Sequence, residues 1–90
     1  MNNTRRKTIS ELSQKVATVK GEIEALMQEI EDVKSEEEEY KDNIPENMQG
    51  GDKYETAEAA IDNLEEVYSN LDDIVGTLEE VESYLDEATN

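Results

Sequence analysis

The chain has 90 residues, of which 25 are acidic and eight basic, giving a formal net charge of −17. There is no Cys, His, Trp or Phe, so disulfides, thiolate chemistry and imidazole-based catalysis or metal binding are excluded. Hydrophobic residues are 34% of the total and charged residues 37%. That balance usually marks disorder, but the apolar residues fall in one helical repeat and can be buried along a seam. The length suits a single domain.

The N-terminus, residues 1–8, reads as a basic tail around Arg5-Arg6-Lys7. No apolar run follows it, so it is not a secretory signal. No stretch is long and apolar enough for a membrane span. The expected location is therefore cytoplasmic, with no membrane contact.

Thr8 followed by Glu11 has the spacing of a capping box and predicts a helix starting at Ile9. With Ile9 as position a of a heptad, Ile9, Val16, Ile23 and Ile30 form row a, which Glu37 breaks. Leu12, Val19, Leu26, Val33 and Tyr40 form row d. A repeat sustained over about five heptads is the pattern of a coiled coil. Gly21 falls on the outer face. Pro45 disfavours helical geometry at Ile44, so this helix should end near Asp42, giving helix 9–42. A loop over 43–52 follows, with a short turn in Pro45–Gln49 and punctuation at Gly50-Gly51.

Asp52 and Glu55 give a second start signal, with Asp52 as the cap, and predict helix 53–88. Tyr54, Ile61, Tyr68 and Val75 form its row a, broken by Glu82. Ala57, Leu64, Leu71, Leu78 and Leu85 form row d. A third apolar row lies at position g: Ala60, Val67, Ile74, Val81 and Ala88.

Two helices of nearly equal length joined by a short loop make an antiparallel pair. The fold class is all-α, an antiparallel coiled-coil hairpin. Pairing row a of one helix with row d of the other sets Val33 against Ile61, Ile30 against Leu64, Leu26 against Tyr68, Ile23 against Leu71, and Val19 against Val75, with Tyr40 facing Tyr54. Position e then places Lys20 near Asp72 and Lys34 near Glu58, which favours this orientation.

Row g of the second helix has no apolar partner in such a hairpin, because row g of the first is Lys15, Glu22, Glu29 and Glu36. It either widens the internal stripe or meets a second copy, making a homodimeric four-helix bundle. A 90-residue hairpin buries little surface alone, which favours the second copy.

The run Glu36–Glu39 is a solvated stretch, because consecutive helical carboxylates point around the axis and do not converge on one ion. No phosphate-binding loop, calcium loop or nucleophile elbow is present. No catalytic residue, metal ligand or cofactor site is expected, and a two-helix rod offers no dry pocket for acid–base work. Tyr40, Tyr54 and Tyr68 fall in core rows, and Tyr84 falls outside them.

After Lys53 no basic residue occurs. The candidate partner-binding face comprises Glu55, Glu58, Asp62, Glu65 and Glu66, continuing through Asp72, Asp73, Glu79, Glu80, Asp86 and Glu87. Spread along helices of roughly 50 Å, the net charge is about one per 3 Å of axis, against about one per 1.7 Å for duplex DNA. Such a rod should suit the basic groove of a nucleic-acid-binding protein and repel nucleic acid itself.

The loop Asp42-Asn43-Ile44-Pro45-Glu46-Asn47-Met48-Gln49-Gly50, followed by Ala59-Ala60-Ile61-Asp62-Asn63-Leu64-Glu65-Glu66, resembles small acidic helical proteins of Firmicutes and their prophages. In those proteins a similar loop joins two heptad helices. The resemblance implies a phage or mobile-element setting and no enzymatic activity. The expected function is a non-enzymatic acidic module that inhibits a host nucleic-acid-binding or defence protein by imitating nucleic acid. The alternative is a structural or adaptor coiled coil acting through helix–helix association.

Overall fold

In the computed structural model, which describes residues 2–90, two helices lie side by side in a rod 70 Å long and 14 by 13 Å across. Helix α1 spans Asn3–Asp42 and helix α2 spans Asp52–Ala88. A single 3-10 turn, Glu46–Met48, sits between them, within the segment expected as loop. Among the described residues there is no strand, no cis peptide bond and no positive φ.

Helix α1 starts earlier than expected. Asn2 is its cap: the side-chain oxygen accepts the backbone N–H of Arg5 at 2.8 Å, satisfying one of the free donors of the first turn. Residues 3–8 are therefore helical rather than a tail, and Met1 lies outside the described residues. Thr8 is not a cap. Its hydroxyl donates to the Thr4 carbonyl at 3.1 Å, one turn back along the helix. No apolar residue between Asn3 and Thr8 extends the heptad, so periodicity carries no sign of this added turn and a half.

The end of α1 falls at the expected place. The Asn43 N–H bonds to the Glu39 carbonyl, and Pro45 is extended with φ −58° and ψ 146°. Pro45 then accepts the Met48 N–H at 2.8 Å, which closes the turn. Gly51, rather than Asp52, caps α2 in an extended conformation. Asp52 and Glu55 occupy the first turn instead, where carboxylates complement the helix dipole.

The expected seam is corrected in its rotation and register. Helix α2 presents rows a and d, as read from the sequence: Ala57, Ile61 and Val75 are buried, and Leu64, Leu71, Leu78 and Leu85 are half-buried. Helix α1 presents rows a and e. Ile9, Val16, Ile23 and Ile30 are half-buried beside Ser13, Lys20, Met27 and Lys34, with Met27 the most buried residue of this helix. Row d of α1 faces away from the seam, with Leu12, Val19, Leu26, Val33 and Tyr40 between 44% and 50% exposed. Val19, Leu26 and Val33, expected inside the seam, therefore lie at its exposed edge.

The matching pattern of cover on the two helices sets Ile9 opposite Thr89, Ser13 opposite Leu85, Ile23 opposite Val75 and Ile44 opposite Tyr54. Ile9, Ser13, Leu85 and Thr89 line one hollow at the open end of the rod, in agreement with this alignment. It lies about one helical turn from the expected register.

The cause is the amphipathic character of lysine. A Lys stem covers apolar surface while its head stays in water, so row e of α1 serves as seam although it reads as polar. Gly21 and Gly76 lie on outward rows, and a Cβ at either would meet nothing within 4 Å.

Candidate binding surfaces

The seam has two edges, and they differ in chemistry. Row e of α1 and row e of α2 share one edge. Lys20 Nζ stands 2.8 Å from Glu82 Oε1, and Lys34 Nζ stands 3.5 Å from Glu65 Oε1. These replace the expected contacts with Asp72 and Glu58. Lys34 also draws Glu38 at 3.7 Å and Glu31 at 3.9 Å from its own helix. Lys41 lies 5.6 Å from the centre of the Tyr54 ring, within cation–π range.

The short contact with the Glu82 carboxylate holds Lys20 above the ordinary lysine pKa, against partial desolvation. At Lys34 partial desolvation acts to lower the pKa, and the surrounding carboxylates of Glu31, Glu65 and Glu38 outweigh it, so the net direction is upward.

Among the described residues, the opposite edge carries no ion pair. With the lysines of row e on one side of the seam, the helical wheel places row d of α1 on the other. The antiparallel partner, whose wheel runs in the reverse sense, turns its row g to that same side. One surface therefore displays Leu12, Val19, Leu26, Val33 and Tyr40 beside Val67 and Ile74, which are also exposed. Of the row expected as an oligomer interface, Ala60 and Val81 are half-covered and Ala88 is exposed. The row from α1 was expected inside the seam, as were Tyr40 and Tyr68, which are exposed here. Tyr84 is 72% exposed, as its position implies.

The acidic rows lie on the remaining surface. Every acidic residue of α2 is exposed except Glu82, and they occupy rows b, e and f apart from Glu82. Rows c, d and g of α2, from Thr56 to Ala88, contain no charged residue at all. Helix α2 is thus divided lengthwise into an acidic half and an uncharged half. Over the 70 Å rod the net charge is about one per 4 Å, sparser than the sequence suggested because the rod is longer than 50 Å.

Among the described residues, no group of three or more carboxylates is arranged to hold a metal, and no helix is long and apolar enough to cross a membrane. An open apolar hollow lies at the loop end, lined in part by Tyr40, Ile44, Pro45 and Met48. No family model, curated protein or solved structure matches this chain.

Proposed function

We propose that the chain is a non-enzymatic acidic binding module, working as a homodimer, whose carboxylate rows occupy the basic surface of a protein partner. One observation carries this reading: the acids of α2, Glu82 apart, are exposed, and among the described residues only Glu65 and Glu82 of them pair with a base. Charge of one sign on a rigid cylinder raises the local concentration of a basic partner and speeds its approach. Two rods side by side would carry 34 charges over 70 Å, about one per 2 Å, close to the density of duplex DNA. That density supports imitation of nucleic acid in the groove of a host nucleic-acid-binding or defence protein. The loop's likeness to phage-associated acidic proteins points the same way, to a role inside a bacterial cell.

A second reading, a structural or adaptor coiled coil, is favoured by the bare apolar edge. The two are separated by salt. Affinity capture from a bacterial lysate, eluted with a salt gradient, should release the partner at moderate salt. Replacing Glu66, Asp72, Asp73, Glu79 and Glu80 with their amides should weaken that binding about tenfold and move elution to lower salt. A partner that elutes at the same salt from both proteins would favour the adaptor reading.

A further inference from the structure

We infer that a second copy of this chain covers the bare edge, with α1 of each copy packed antiparallel against α2 of the other. The two-fold axis of this bundle runs along the rod.

The hairpin alone under-buries its apolar residues. Among the described residues only Met27, Ala57, Ile61 and Val75 are buried outright, while Leu12, Val19, Leu26, Val33 and Tyr40 of α1 and Val67 and Ile74 of α2 remain exposed along one edge. From Leu12 to Tyr40 that surface is about 42 Å long, and two helices make it about 20 Å wide. Its area, about 800 Å² per copy, is what a stable protein–protein interface buries on each partner.

A two-fold axis along the rod leaves every residue at its own height. The apolar rows must therefore already match level by level, and they nearly do. In the alignment of the seam, Leu26 lies within two residues, about 3 Å, of the level of Ile74, and the same offset relates Val33 to Val67 and Val19 to Val81. At the ends the same small offset sets the large Tyr40 near the small Ala60, and Leu12 near Ala88. Each level would then form a four-residue layer, repeated every heptad, about 10.5 Å apart.

Charge selects this arrangement over its rival. The outer flank of the edge on α1 is row g, with Glu22, Glu29 and Glu36. The outer flank on α2 is row c, with Asn63, Asn70 and Thr77. Turning the second copy end over end would set α1 on α1 and press the glutamate rows together, a destabilising juxtaposition. Setting α1 on the other copy's α2 brings each glutamate row to an uncharged one. Glu29 falls within one residue of the level of Asn70, and Glu36 of Asn63, so that each carboxamide N–H would face a carboxylate acceptor. Both Asn residues and all three Glu residues are exposed in the single chain and free for this use.

The arrangement shares only the homodimer with the function proposed above; it does not depend on what the acidic rows bind. The full chain, which has no cysteine of its own, is suited to paired substitutions. Glu29→Cys and Asn70→Cys chains, mixed and treated with a short thiol-to-thiol cross-linker, should give a cross-linked dimer containing one of each. Either chain alone should cross-link at least tenfold less. Light scattering of the unsubstituted chain should give twice the 10.2 kDa chain mass. Leu26→Glu with Ile74→Glu should return it to the single-chain mass with its far-ultraviolet circular dichroism retained, since both positions lie outside the seam. A single-chain mass for the unsubstituted protein at high concentration overturns the dimer. Efficient self-cross-linking of Glu29→Cys overturns the arrangement. Neither result touches the salt-dependent capture that tests the acidic rows.

Discussion

The two edges of the seam start from similar sequence and end with different fates. On one, lysines of α1 reach Glu82 and Glu65 and are themselves half-buried beside the seam. On the other, leucine and valine of the same helix lie half in water. Helix α1 has more seam-forming rows than one neighbour can cover, and it turns toward the edge where lysine provides both cover and countercharge. An apolar row thus loses its place inside a hairpin to a row that looks polar. Hydrophobicity by residue type does not rank faces; covered stem length and the charge opposite do.

The largest way to probe this contrast is inside the seam. Ile61→Ala should lower the unfolding free energy by about 2–3 kcal/mol, measured by chemical denaturation, because Ile61 is covered by both helices. A loss below about 1 kcal/mol would mean that the seam does not hold the hairpin together. Smaller and opposite in sign is the outer surface, which belongs to neither edge. Gly21→Ala and Gly76→Ala should each raise stability by about 1 kcal/mol, because the added methyl meets open space and the helix gains propensity. Thermal melts showing a loss instead would place those rows against something.

The smallest effect belongs to the paired edge and is read by pH. Lys20 and Lys34 bind their protons more tightly folded than unfolded. Their contribution is therefore complete below the unfolded lysine pKa of about 10.4 and declines as pH rises through the higher folded values. The chain with Lys20→Met and Lys34→Met should lack that part of the alkaline decline. Melting temperatures of the two proteins should converge as pH climbs past that range. Curves that stay parallel would show that the lysines act through their stems alone.

The sequence made two helices, their antiparallel pairing and the loop legible, because heptad rows and the Pro45 break are strong signals. Two things stayed hidden. The first turns of α1 lack apolar residues, and the cap at Asn2 shows only in the hydrogen bond it accepts from Arg5. The rotation of α1 was hidden because Lys20, Lys34 and Lys41 count as polar in a binary pattern. The apolar row of α2 at Val67 and Ile74 was visible as surplus. Its companion from Leu12 to Tyr40 was not, since row d is where a coiled coil is expected to bury itself. The neutral row at Asn63 and Asn70 gained meaning only once the bare edge was located.

The two glycines placed within helices also have a mechanical consequence. In the seam's alignment Gly21 and Gly76 stand at almost the same height on the rod, each on an outward row. Both helices thus have their poorest helix former at one level, nearer the free ends than the loop. Stiffness along a rod is set by its weakest cross-section, so bending concentrates at this waist. Alanine at both positions would remove this shared weak level and even out helix propensity along the rod.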